Sequence, residues 1–239
     1  MTAERKRVVV LISGRGSNMA ALIDAAKDDS YSAEIVAVMA DNPDAHGLKI
    51  AEANGLPTRI FVRSDFLNKV AHEAALEEAL HGFDAEIVAL AGYMRLLSPA
   101  FVGRWAGRLV NIHPALLPCF TGLDTHRRAL EAGIRVHGCT VHFVTAATDS
   151  GPIIAQAAVP VLSSDDEASL SARVLKAEHR LYPVALALVA EGKARMENGR
   201  TVLTGIAEAD RQGLLLSPSD RMAEPDGETD LEHLARFTP

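Results

Sequence analysis

Hydrophobic residues in this chain come in short solid blocks separated by amphipathic stretches. VVVLI (8–12), EIVAVMA (34–40), TRIFV (58–62), EIVALAG (86–92) and RLVNI (108–112) are β-rich runs. Apolar residues at consecutive rather than alternate positions mark strands covered on both faces, as in a parallel sheet. Between the first two runs, Met19, Leu22, Ile23 and Ala26 follow helical spacing and share one face. His46 to Asn54 is a second helical segment, stopped by Gly55. Phe66 to Leu80 is a third, leading into the fourth strand. This β-α-β-α-β alternation predicts a doubly wound α/β fold with right-handed crossovers and a mostly parallel sheet.

The pattern then changes. CTVHFVT (139–145) and IIAQAAVPV (153–161) are extended runs joined by the turn-like ATDSGP. The sheet is therefore expected to become mixed, with antiparallel pairing, at its C-terminal side. Ser164 and Glu167 have capping-box spacing and open a long helix expected to run through Leu181. Pro183 is expected to kink or restart it toward Gly192. From Gly205 the chain is rich in Asp, Glu, Ser and Pro without periodicity. Residues 1–204 are thus expected to form one domain and 205–239 an acidic, loosely ordered extension. The length of 239 residues suits a single large core, and no internal repeat is visible.

Composition adds exclusions. With 48% hydrophobic and 23% charged residues the chain has the balance of a soluble globular protein. A net charge of −7 speaks against a nucleic-acid surface while leaving room for a local pocket for one phosphate. Two cysteines make no disulfide framework, which fits a reducing compartment. VVVLI is too short for a signal-peptide core or a membrane span, so a cytoplasmic location and no membrane partner are expected.

Three stretches carry candidate chemistry. ISGRGSN (12–18) joins a strand to a helix, and the amides after its second glycine form an N-terminus that attracts phosphate. It is neither a dinucleotide fingerprint nor a Walker A loop, and a plain glycine-rich turn is the alternative. In NIHPALLP (111–118), Asn111 and His113 alternate along a strand and project to one side. Two prolines stiffen its exit, and Leu117–Pro118 is a candidate cis bond. Capping of a turn is the competing explanation for both polar residues. Asp149 sits in a Thr-Asp-Ser-Gly-Pro turn, where an aspartate often bonds only its own backbone. His113, His126, His137 and His142 form no HxxxH or HExxH pair and no Cys/His cluster, so no metal site is expected.

In order and spacing, ISGRGSN, AGYMRLLSP (91–99), NIHPALLP, GLDTHRRAL (122–130), HGCTVHFV, DSGPII and AEHRLYP (177–183) resemble the folate-dependent glycinamide ribonucleotide transformylase family. The resemblance covers roughly residues 7 to 203. It implies the formyltransferase fold and transfer of the formyl group of 10-formyltetrahydrofolate, a co-substrate, to the amine of glycinamide ribonucleotide in de novo purine biosynthesis. Asn111 and a protonated His113 would stabilise the oxyanion of a tetrahedral intermediate, with Asp149 assisting proton transfer and no metal required. Gly16, Ser17 and Asn18 would hold the phosphate and Glu178 the ribose hydroxyls. Met94, Arg95, Leu96 and Leu97, with the loop from Val144 to Asp149, would line the folate site; Arg95 would alternatively meet the glutamate tail or stay solvated. His142 is expected to support the site or fill the core, and the assembly to be a monomer or homodimer.

The chain departs from the family pattern in places. Ala115 stands where Ser is common, and Cys119-Phe120-Thr121 replaces a segment that often carries Lys or Ser and an aromatic. Leu175 stands where a basic residue is frequent, with Lys176 next to it. One helical residue is a rotation of about 100°, so Lys176 with and without a phosphate contact both remain open. A tRNA-directed formyltransferase would need an RNA-binding domain and a basic face, and a formyltetrahydrofolate hydrolase usually has a domain ahead of its glycine loop. A nucleotide-binding oxidoreductase would use an acid such as Asp41 on a ribose, but the loop lacks its glycine spacing.

Overall fold

The computed structural model describes residues 5–206; the acidic extension expected at 205–239 lies almost wholly outside them. The described chain runs β1 (Lys6–Ile12), α1 (Ser17–Ala25), β2 (Ala33–Ala40), α2 (His46–Ala53), β3 (Thr58–Ile60), α3 (Lys69–Gly82), β4 (Ile87–Leu90), α4 (Pro99–Arg104) and β5 (Leu109–His113). It continues through α5 (Thr125–Glu131), β6 (Val136–Phe143), β7 (Ile153–Pro160), α6 (Glu167–Ala190), β8 (Ala194–Glu197) and β9 (Arg200–Leu203). Seven strands form one sheet in the order β3-β2-β1-β4-β5-β6-β7. β1 to β5 pair in parallel, and β6 and β7 add antiparallel strands, as the two halves of the hydrophobic pattern imply.

Strand alternation divides the core. Val8, Val10 and Ile12 face one side, where Met19, Leu22, Tyr182 and Leu186 from α1 and α6 cover them. Val9 and Leu11 face the other, against Leu76, Leu80, Phe101 and Trp105. Tyr182 is fully buried, and its hydroxyl donates to the Leu90 carbonyl at 2.9 Å. It thereby ties α6 to the end of β4. Sheet order reverses between β1 and β4, so their carboxyl ends splay apart and leave a crevice, the usual ligand position in such folds.

Several boundaries differ from the sequence expectation. The third helix starts at Lys69 rather than Phe66, because Asn68 caps it by accepting from the Ala71 amide at 2.9 Å. Phe66 is extended and packs edge-on against His72. The long helix is capped by Asp166 and Ser169 reciprocally, not by Ser164 and Glu167, and Asp165 instead pairs with Arg173 at 2.6 Å. Pro183 neither breaks nor restarts α6, which runs through it to Ala190. Tyr182, Ala185, Leu186 and Val189 on either side are buried, and the Pro183 carbonyl accepts from the Tyr31 hydroxyl at 2.7 Å. The hairpin β8–β9 was not expected; its Asn198-Gly199 turn has positive φ at both residues, the geometry that dipeptide favours. Helices α4 and α5 were likewise unforeseen, each too short to show a period.

Gly16 lines the crevice. It has φ +75°, and a Cβ there would lie 2.6 Å from the Gly47 Cα in the first turn of α2. Gly14 is different, with open space around any added Cβ. We expect Gly16→Ala to cost about 2 kcal/mol through strain and overpacking, lowering Tm by roughly 4–8 °C. Gly14→Ala should leave Tm nearly unchanged; thermal melts of both variants check the pair.

Candidate active site

Asn111 and His113 leave β5 on one side, and the antiparallel β6 places His142 opposite Asn111 and Thr140 opposite His113. The register decides their chemistry. His142 is buried, and its Nδ1 lies 2.9 Å from the Phe143 carbonyl, which only accepts, so Nδ1 carries the proton. Nε2 is then an acceptor, 3.1 Å from Asn111 Nδ2. This bond orients the Asn111 amide, which lines the cleft, and leaves its second N–H without a partner among the described residues. Burial lowers the His142 pKa, which keeps the ring in the neutral, accepting form.

His113 is held in a similar way. Its Nε2 donates to the Phe120 carbonyl at 2.9 Å, and its Nδ1 faces Asp149 Oδ2 at 3.5 Å. The same Asp149 oxygen accepts from the Gly122 amide at 2.8 Å, and its partner oxygen lies 4.0 Å from His142 Nε2. Asp149 therefore does more than bond its own turn. Phe120, Asp124 and Asp149 all have left-handed backbone geometry, at φ 54°, 56° and 49°. Each conformation costs energy in a residue with a Cβ, and such strain clusters where groups must be aimed.

The loop after His113 is fixed by residues the sequence analysis passed over. The Thr140 hydroxyl donates to the Ala115 carbonyl at 2.7 Å and accepts from the Leu117 amide at 3.0 Å. Gln156 donates to the Leu117 carbonyl, and the Thr125 hydroxyl to the Pro114 carbonyl. The alternation Thr140-x-His142 was the available signal, since both face the side of Asn111 and His113. The Leu117–Pro118 bond is cis. Cys119 is exposed and joins none of these bonds.

A cleft of about 900 Å³ joins these groups to the remaining candidates. On one wall, Gly16 precedes α1, and Asn18 Nδ2 donates to Glu178 Oε2 at 2.8 Å. Among the described residues, Asn18 Oδ1 is buried there without a partner. Glu178 is 6% exposed, and burial raises its pKa against the opposing Asn18 bond and Arg15 charge. On the other wall stand Met94, Arg95, Leu96, Leu97 and Val144, with Met94 and Leu96 largely exposed. Ser13 links the two walls by accepting from the Met94 amide at 2.8 Å. Arg95 pairs with buried Asp41 at 2.5 Å, so Asp41 faces a guanidinium rather than an open ribose site. Leu175 lines the cleft, whereas Lys176 is exposed and outside its lining.

His126 also lines the cleft and stacks edge-on against buried His137, with ring centroids 5.5 Å apart. Burial and the neighbouring imidazole push the His137 pKa down to about 4. Among the described residues no group of three or more His, Cys, Asp or Glu side chains could hold a metal ion, and no helix is long and apolar enough to cross a membrane.

The chain has known counterparts in both sequence and fold. The formyl transferase family model matches residues 6–186, and the chain belongs to that family. Its relatives there include the phosphoribosylglycinamide formyltransferase of Escherichia coli, 45% identical over 83% of this chain and 93% of that protein. The trifunctional purine biosynthetic protein adenosine-3 of Homo sapiens is 48% identical over 82% of this chain, which spans only 20% of that protein. A crystal structure of phosphoribosylglycinamide formyltransferase from Brucella melitensis is 52% identical, with a TM-score of 0.78 over 90% of this chain and 100% of that one. A formyltetrahydrofolate deformylase from Pseudomonas syringae reaches the same TM-score, 0.78, at 26% identity over 84% of this chain and 67% of that one.

The raised pKa of Glu178 has a stability consequence. A carboxyl whose folded pKa lies above its ordinary 4.5 contributes fully below that value, and the contribution fades as pH rises through the folded pKa. Glu178→Gln keeps an acceptor for Asn18 and removes the buried charge. The ligand-free variant should melt higher than the parent chain at pH 7.5, with the difference vanishing below about pH 4.5; melting curves across that range are the check.

Proposed function

We propose that this chain transfers the formyl group of 10-formyltetrahydrofolate to the amine of glycinamide ribonucleotide, a step of de novo purine biosynthesis. The observation that carries the proposal is the convergence of the free Asn111 N–H, His113 Nδ1 and Asp149 on one cleft, between a glycine loop and an apolar platform. The substrate brings its own nucleophile, which suits a site where a histidine and a carboxylate meet without a serine or thiol in line.

In this mechanism the amine attacks the formyl carbon, a C–N bond forms, and the carbonyl π electrons move onto oxygen. The Asn111 amide and His113, protonated at Nδ1, donate to that oxyanion, with Asp149 holding the imidazolium charge. Asp149, directly or through a water, moves a proton from the attacking nitrogen to N10 of the folate. The C–N10 bond then breaks, leaving a formamide and tetrahydrofolate. Gly16, Ser17 and Asn18 present amides to the phosphate, and Glu178 accepts from the ribose hydroxyls. The buried, unpartnered Asn18 Oδ1 supports a hydroxyl-bearing ligand at that wall. The pterin lies against the backbone of Met94, Arg95, Leu96 and Leu97, with Val144 beneath. Arg95, tied to Asp41, stiffens this platform.

The direct test follows formyl loss from 10-formyltetrahydrofolate by absorbance, with and without glycinamide ribonucleotide. Turnover that needs the ribonucleotide supports the proposal. Equal turnover without it assigns water as the acceptor and overturns the transferase reading. Two variants probe the roles. Asn111→Ala should lower kcat by roughly 100- to 1000-fold with little change in KM, the range for loss of one oxyanion donor; an undiminished kcat refutes its role. Asp149→Asn should bind both substrates yet turn over at least about 100-fold more slowly. Full activity in that variant removes Asp149 from the mechanism.

A further inference from the structure

The ribonucleotide wall of the cleft is short of positive charge. Helix α6 presents Glu167, Ser171, Leu175 and Glu178 to the cleft from one face, two of them carboxylates and none a cation. Among the described residues, two guanidinium groups line the cleft, those of Arg15 and Arg95. Arg95 is bound to Asp41 on the folate wall. Arg15 makes no ion pair and no side-chain hydrogen bond among the described residues. It projects from the loop between Gly14 and Gly16, immediately ahead of the α1 amides. Arg15 is exposed where it lines the cleft. Arg15 is also near enough to Glu178 for its charge to act on that carboxyl.

We infer that Arg15 is a specificity-determining residue that closes over the phosphate of the ribonucleotide, supplying a cation to a wall that is otherwise acidic or neutral among the described residues. A phosphate dianion seated on the α1 amides lies on the same wall as Glu178, whose carboxyl repels it. A guanidinium there offsets that repulsion and adds charge-assisted hydrogen bonds that a backbone amide cannot match. Lys176, exposed on the next helical position, takes no part. This inference rests on the ribonucleotide reading above and deepens it.

The test is steady-state kinetics of the full chain as parent, Arg15→Ala, Arg15→Lys and Lys176→Ala. Glycinamide ribonucleotide is compared with its dephosphorylated ribonucleoside. Arg15→Ala should raise KM for the ribonucleotide roughly 10- to 100-fold, the range for a hydrogen bond to a charged group. Its kcat and its KM for the folate should change by less than about twofold, because uniform binding is lost and not transition-state stabilisation. Arg15→Lys should recover part of the loss, and added salt should weaken ribonucleotide binding more in the parent than in Arg15→Ala. On the ribonucleoside, parent and Arg15→Ala should be equal, a result that mere loop damage would not give. An unchanged KM for the ribonucleotide, an equal loss on the ribonucleoside, or a larger effect from Lys176→Ala overturns the inference. Calorimetry with ribose 5-phosphate separates the two readings. If the parent shows no turnover with the ribonucleotide, the transferase reading falls. Arg15 then stands only if Arg15→Ala binds ribose 5-phosphate at least about tenfold more weakly.

Discussion

Asn111 can aim an N–H into the cleft because His142 holds the other one. That bond depends on a single topological fact, the reversal of direction between β5 and β6. Antiparallel pairing sets residues directly opposite one another, so Asn111 faces His142 and His113 faces Thr140. A one-residue slip would turn every one of these side chains to the opposite face of the sheet. The hydroxyl of Thr140 and the amide of Gln156 secure the loop that follows, so the same pairing that aims the polar groups also anchors the chain leaving them.

Charge in the cleft follows from burial. His142 and His137 are kept neutral by desolvation, and Glu178 is pushed toward its neutral form by the same cause. His113 differs in having a carboxylate at 3.5 Å on its cleft-facing nitrogen and a carbonyl on the other. A protonated imidazole would therefore find an acceptor on each side, whereas a proton on His142 would strip Asn111 of its acceptor. The two histidines are alike in burial, and their hydrogen-bond partners make the difference between them.

The sheet was readable from sequence because buried parallel strands write solid apolar blocks, and the mixed pairing was readable from the turn at 147–152. Helix boundaries were less so. Capping is a local competition among several polar residues, and Asp166 wins over Ser164 only through its reciprocal bond with Ser169. Pro183 does not restart the helix, because its cost is local while the burial that keeps α6 continuous is spread over Tyr182, Ala185, Leu186 and Val189. Asn111, His113 and Asp149 stood out through motif and resemblance. Thr140, Thr125 and Gln156 did not, since their partners are carbonyls and amides far along the chain, which no spacing rule encodes.

The left-handed backbones of Phe120, Asp124 and Asp149 put a limit on how this cleft can be built. At about 1–3 kcal/mol each, such conformations persist only when the surroundings over-determine them. At Phe120 and Asp149 they do: the Phe120 carbonyl accepts from His113, and the Gly122 amide donates to Asp149. The strained segments thus brace each other through the groups they aim. Removing either bond would free the loop to relax and would also release the imidazole or the carboxylate. Stability and alignment at this site are consequently one property, held by the same two hydrogen bonds.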